Sequence, residues 1–268
     1  MFSKKMFFWP VLYMKMLKKI ALLILFGLFS TASFAQKGEK ILIAAASDLK
    51  FAIDSIISVY KEVDSRTVTV TYGSSGKLFE QISNGAPFDL YFSADIIYPN
   101  LLKEKGLSAS DVYPYGVGRI VLWSRKMDPN TAGMRTLLSP SIRKVAIANP
   151  AHAPYGKRAK EAMIHFQVQD AVDGKLVLGE NISQTAQFVT TGAADVGIVA
   201  LSLAMSPTMM KQGGKYYLIP ESSHAPLLQG AIITRKGAGN ELAKSFFDFV
   251  KGSEAQEILS YFGFSKPE

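Results

Sequence analysis

The chain contains no cysteine among its 268 residues. No disulfide framework, thiolate zinc site, iron–sulfur cluster or thiol nucleophile can therefore be built from it. Histidine is scarce as well. His152, His165 and His224 are the only three, they lack metal-ligand spacing, and no H-E-x-x-H pattern occurs; they read as surface or loop residues. There is no G-x-S-x-G elbow to expose a hydrolase serine, and no G-x-G-x-x-G opens a helix. The stretch Gly73-Ser74-Ser75-Gly76-Lys77 lacks the four-residue gap and the following Ser or Thr of a phosphate loop. A serine at either of the positions singled out below could act as a nucleophile only with a general base, and none is recognisable. An exported serine hydrolase is thus a remote alternative, and no enzyme is expected. What the chain does have is 48% hydrophobic against 19% charged residues, enough to bury a core.

The formal charge of +8 invites a polyanionic partner. Its distribution argues otherwise. Residues 1–35 carry Lys4, Lys5, Lys15, Lys18 and Lys19 and no acidic residue, followed by an apolar run from Ile20 to Phe29 broken only by Gly27. Ser33-Phe34-Ala35 then places small residues at −3 and −1 of a cut before Gln36. A basic start, a short apolar run and a small-residue site make a secretory signal peptide, the run being too short for an ordinary membrane span. A start at Met14 instead of Met1 would leave Met14–Ala35, of ordinary signal length. Without the five lysines the chain holds 25 Lys and Arg against 22 Asp and Glu, a net +3. No block of like charges remains, so no nucleic-acid partner is expected, and the protein is placed in the periplasm.

Beyond residue 36, strand and helix signals alternate. Ile41–Ala46 is a continuous apolar run, as in a strand covered on both faces. Leu49, Ile53, Ile56, Ile57 and Tyr60 then recur at helical spacing. Thr67–Tyr72, Asp89–Ser93, Ile120–Trp123, Val145–Ala148, Lys175–Leu178, Val196–Leu201, Tyr216–Ile219 and Gly230–Thr234 read as further strands. Helices are expected around Leu78 and Ile82, over Lys157–Phe166 and Ile182–Thr191, and over 239–251 and 253–261. Gly192 suits a helix C-terminus. The alternation predicts an α/β fold of mostly parallel sheets flanked by helices.

Two strand-to-helix junctions stand out. In Ala44-Ala45-Ala46-Ser47-Asp48-Leu49, Ser47 is placed as an N-cap with Asp48 in the first turn. In Tyr72-Gly73-Ser74-Ser75-Gly76-Lys77-Leu78, Ser75 stands just before a helix. Ordinary capping accounts for either serine alone. Two such junctions after strands point to a ligand at the carboxyl ends of a sheet, and helix N-termini favour an anion there.

With these motifs in place the chain resembles the periplasmic molybdate-binding proteins of ABC transporters, within the type II solute-binding fold. The matching segments are AAASDL at 44–49, YGSSGKL at 72–78, GAPFDLYFSAD at 85–95, NPAHAPYG at 149–156, GENISQ at 179–184 and GAADVGIVALS at 192–202. They run in order through almost the whole exported chain. The resemblance implies two lobes, 36–118 with 227–268 and 119–226, with an oxyanion in the cleft between them. It further implies molybdate and also tungstate as ligands, an ABC importer permease in the inner membrane as partner, no cofactor, and a monomer. Sulfate or phosphate in the same fold is the alternative. The implied ligand groups are the hydroxyls of Ser47 and Ser75, Tyr155, and the backbone N–H groups of Asp48 and Ile182. Another branch of the family has a Tyr where this chain has Ala200, and Tyr155 is expected to supply the missing hydroxyl. Because a carboxylate beside a dianion repels it, Asp48 is expected to turn its side chain away.

Overall fold

The structure, a computed structural model, describes residues 40–267. The expected export signal and its cleavage after Ala35 lie outside the described residues. Among those residues no helix is long and apolar enough to cross a membrane.

Among the described residues, ten strands alternate with helices. In chain order they are β1 (Lys40–Ala46), α1 (Lys50–Val63), β2 (Thr67–Gly73), α2 (Ser75–Ser83), β3 (Leu90–Ser93), α3 (Ile97–Glu104), β4 (Tyr113–Gly118) and β5 (Ile120–Ser124). After these come β6 (Val145–Ala148), α4 (Pro154–His165), β7 (Leu176–Gly179), α5 (Ile182–Thr191) and β8 (Val196–Ala200). The chain closes with β9 (Lys215–Leu218), β10 (Leu227–Ile233), α6 (Glu241–Lys251) and α7 (Ser253–Tyr261). Single helical turns at Gln169–Val172, Leu201–Ala204 and Pro207–Lys211 fill connections. The helices form where apolar residues recur on one face. Ala52, Ile53, Ile56, Ile57 and Tyr60 are the buried stripe of α1. Leu242, Ala243, Phe246, Phe247 and Val250 are that of α6. The two helices meet where Tyr60 sets its ring edge-on against Phe246, centroids 5.1 Å apart.

The strands form two five-stranded sheets, ordered β2-β1-β3-β10-β4 and β7-β6-β8-β5-β9. Both are mixed, where mostly parallel sheets were expected. In the first, β1 is parallel to β2 and β3, while β10 is antiparallel to β3 and β4. In the second, β6 is parallel to β7 and β8, while β5 is antiparallel to β8 and β9. The antiparallel pairings involve the strands that flank the passages between the sheets. β4 leads into β5, and β9 leads back to β10. Arg119, in the first passage, pairs with Glu221 in the second at 2.6 Å, tying the two crossings together.

Strand β4 and helix α3 were not foreseen. β4 reads Tyr-Pro-Tyr-Gly-Val-Gly, and Pro and Gly suppress a strand signal. It is tolerated because it is the last strand of its sheet and meets β10 across a register shift at Gln229/Gly230, where a missing N–H costs least. In α3, Pro99 lies in the first turn, which proline tolerates.

Candidate functional site

The carboxyl ends of strands from both sheets converge on one small cavity. It is lined by Ala46, Ser47 and Asp48 after β1, Gly73, Ser74 and Ser75 after β2, and Ala94 after β3. Ala153, Pro154 and Tyr155 at the start of α4 and Ile182 at the start of α5 complete it. All five residues singled out in the sequence therefore lie on its wall. The cavity encloses no more than about 180 Å³ of space, below the roughly 300 Å³ at which pockets for organic ligands begin. Among the described residues no Lys or Arg lines it. Ser75, Tyr155 and Ile182 stand in the first turns of α2, α4 and α5, where backbone N–H groups have no intrahelical acceptor. Three helix N-termini at one cavity offer uncharged donors suited to an anion, and Asp48 is the one carboxyl among the lining residues.

Ser75 is 1% exposed. Its Oγ accepts a hydrogen bond from the Ala94 N–H at 2.9 Å, and its carbonyl accepts from the Tyr91 hydroxyl at 2.8 Å. Ser74 is the N-cap of α2, without a side-chain capping bond, so the Ser75 hydroxyl is free of capping duty. Ser47 departs from its expected role. It is not an N-cap but the first residue of a 3₁₀ turn, Ser47–Leu49, capped by Ala46. Its hydroxyl instead reaches the other sheet's elements, donating to Asn181 Oδ1 at 3.2 Å and accepting from the Ser183 N–H at 3.3 Å. Asn181, the N-cap of α5, also accepts from the Gln184 N–H.

The Tyr155 hydroxyl, expected to donate into the cleft, donates to Asp48 Oδ2 at 3.0 Å. A phenol has one proton, so the Tyr155 hydroxyl does not donate into the cavity while it bonds Asp48, and Ala200, buried at the end of β8, is not among the lining residues. Gln229 also donates to Asp48 Oδ2, at 2.9 Å, and its own Oε1 accepts from Tyr115 at 2.6 Å. Gly118 makes room for this cluster, since a Cβ there would overlap the Tyr155 hydroxyl and Gln229 Nε2. Sequence reasoning missed Gln229. Its signal was a single amide inside the apolar run of β10, which burial without a partner would penalise.

Burial pushes the Asp48 carboxyl up to about 6, against the opposing hydrogen bonds from Gln229 and Tyr155. The folded-state value thus exceeds the ordinary 3.8. Folding then favours the protonated form, and stability from this group falls as pH rises from about 4 through about 6. Above that window the penalty is complete, about 3 kcal/mol for a fully buried group. Asp48→Asn keeps an oxygen for Tyr155 and Gln229. It is expected to raise stability at pH 7 by up to about 3 kcal/mol, with the gain gone at pH 4; urea denaturation at the two pH values checks this.

Residues 41–265 match the family model of the bacterial extracellular solute-binding proteins. The chain belongs to that family. Among the relatives of this solute-binding protein, the molybdate-binding protein ModA of Rhodobacter capsulatus is 36% identical over 235 residues, covering 86% of this chain and 89% of the relative. The ModA of Azotobacter vinelandii is 33% identical over 86% of this chain and 91% of its own length. The solved structure of the periplasmic molybdate-binding protein of that organism superposes with a TM-score of 0.78 at 28% identity, covering 85% of this chain and all of the other. The solute-binding protein therefore has the two-lobed type II fold, one sheet in each lobe and the cleft between them.

A second set of contacts joins the same elements beside the cavity, and none was foreseen. The Gly76 N–H donates to the His152 carbonyl at 2.9 Å, Ser74 Oγ lies 2.9 Å from His152 Nδ1, and Lys77 pairs with Glu180. Gly76 is required at this approach, because a Cβ would stand 2.7 Å from the His152 oxygen.

Proposed function

We propose that this protein captures molybdate, and tungstate with it, in the periplasm and delivers it to an ABC importer permease in the inner membrane, without catalysing a reaction. The observation that carries the reading is the cavity itself: two serine hydroxyls and three helix N-termini meet in a space too small for an organic ligand, with no cation on its wall. Hydrogen bonds from neutral donors to an ionised acceptor are strong in a dry site, so a tetrahedral dianion needs no Arg. The relatives named molybdate-binding support the choice of ion. The proposed ligand groups are the Ser47 and Ser75 hydroxyls and the N–H groups of Asp48, Tyr155 and Ile182. The Ser47 O–H, donated to Asn181 Oδ1 in this structure, swings to the anion by rotation about its Cβ–Oγ bond. Donors at fixed separations treat molybdate and tungstate alike because their sizes are nearly equal. Sulfate is smaller and leaves donors unpaired.

The lobes we assign are 36–118 with 227–268 and 119–226, the first 35 residues being the export signal. Ser47 and Ser75 then approach the anion from one lobe, Tyr155 and Ile182 from the other. Only the closed form makes all the contacts, so ligand shifts the population toward closure, and the closed form is what the permease reads. The Lys77–Glu180 pair crosses the same boundary, with both side chains about half exposed. Exposed pairs contribute about 0.2–1 kcal/mol, so Glu180→Gln is expected to raise the Kd for molybdate by no more than about fivefold, through faster release measured by stopped flow.

The test is a competitive titration of the anion-stripped mature protein with molybdate, tungstate, sulfate and phosphate. Tight molybdate and tungstate binding with weak sulfate and phosphate binding is expected. Tight sulfate or phosphate binding without a molybdate response would overturn the reading.

A further inference from the structure

Asp48 stands on the wall of the cavity, 1% exposed, yet its two carboxylate oxygens are treated differently. Oδ2 accepts from both Tyr155 and Gln229, at 3.0 and 2.9 Å. Oδ1 is buried and has no hydrogen-bond partner among the described residues. Neutral donors hold Oδ2 in place, because Gln229 is itself held by Tyr115 from β4 and Tyr155 is fixed by packing at the start of α4. The carbonyl of Asp48 accepts from Ser202 at 2.8 Å, which fixes the backbone from the turn after β8. The titratable groups facing the carboxylate are thus two phenols, Tyr155 and Tyr115. Both are pushed well up by burial and remain neutral. No Lys, Arg or His is among its partners.

We infer that Asp48 is a specificity-determining side chain that binds the oxyanion together with one proton: its carboxylate, ionised in the ligand-free protein at neutral pH, is protonated on Oδ1 in the complex and donates that proton to an anion oxygen. This rests on the cleft being the oxyanion site. A dianion arriving beside an ionised carboxylate raises that group's proton affinity, and no cation is present to offset the repulsion. Protonation removes the repulsion and converts an unpartnered acceptor into an O–H donor, like the serine hydroxyls of the same wall. The proton comes from solvent, one O–H bond forms on Oδ1, and the anion remains fully deprotonated. Burial already holds the free carboxyl near about 6, so the uptake falls within reach of neutral pH. An anion that keeps a proton of its own, such as hydrogen phosphate, would bring a donor that the protonated Oδ1 cannot accept as a carboxylate would.

Linkage fixes the readout. Above about pH 6, molybdate affinity falls by about tenfold per pH unit for one proton taken up, and molybdate itself stays a dianion over this range. Calorimetric titration of the mature protein with molybdate at pH 7.5, in buffers of different ionisation enthalpy, counts the protons. The expected result is uptake of about one proton per anion bound in the wild type, and none in Asp48→Asn, whose affinity is flat with pH and exceeds the wild type at pH 8. Wild-type binding with no proton uptake and a flat pH profile overturns the inference while leaving the oxyanion reading intact. So does tight phosphate binding without proton uptake that Asp48→Asn weakens, since the carboxylate would then be accepting a proton from the ligand. No molybdate binding by the wild type at any pH overturns both. If the variant does not fold, the wild-type proton count alone decides.

Discussion

Ser75→Ala is expected to weaken molybdate binding by about 10- to 100-fold while the protein stays folded. The Ser75 oxygen already accepts from the Ala94 N–H, which fixes its rotamer. Its own proton has no acceptor among the described residues, and the residue lines the cavity. An anion oxygen is the partner the proposed function supplies. A hydrogen bond to a charged group contributes about 1.5–3 kcal/mol, which corresponds to the stated range in Kd. The substitution also strands the Ala94 N–H, so a stability loss of about 1–3 kcal/mol accompanies it. Titration with molybdate, paired with denaturation to confirm folding, measures both. A change in Kd below about threefold in a folded variant would show that the hydroxyl does not face the anion.

Gly156→Ala should have the larger effect on the fold. Gly156 is the third residue of α4, and a Cβ there would fall inside the contact distance of the Ala148 carbonyl and stand 2.9 Å from the Pro150 nitrogen. Both neighbours are backbone and cannot rotate aside. Overpacking of this kind costs about 3 kcal/mol or more. Where the chain relaxes instead of unfolding, it moves the first turn of α4. That displaces the Tyr155 N–H from the cavity and its hydroxyl from Asp48, so molybdate binding falls beyond about 100-fold, the loss of more than one charge-assisted hydrogen bond. A wild-type denaturation midpoint and wild-type affinity in this variant would contradict the packing described for the α4 N-terminus.

The parts of this molecule legible in the sequence are those set by neighbours along the chain. The apolar run of β1, the stripe of α1 and the left-handed Gly192 ending α5 each follow from a few consecutive residues. Ser47, Asp48 and Ser75 could be singled out for the same reason, at the ends of strands, whereas Tyr155 and Ile182 were named only through the family motifs that contain them. What those side chains touch was not legible, because the partners are distant in sequence. Ser47 read as a helix cap, yet its hydroxyl meets Asn181, 134 positions away. Tyr155 read as a donor to the ligand, and its proton goes to Asp48, 107 positions away. The mixed sheets were hidden in the same way: the direction of β10 depends on the chain's return from the second sheet, which no local pattern encodes. Gln229 was the one distant partner with a local trace, a lone amide in an apolar strand.

If neutral donors from both lobes hold the anion, a crystal structure of the molybdate complex will show it. Anomalous scattering locates the molybdenum without reference to the protein. It is expected inside the cavity bounded by Ser47, Ser75, Tyr155 and Ile182. Its oxygens should lie within hydrogen-bonding distance of the two serine hydroxyls and of the N–H groups of Tyr155 and Ile182, with no Lys or Arg nitrogen in contact. Molybdenum located outside that cavity, or held there by a lysine or arginine side chain, would contradict the proposed mode of binding.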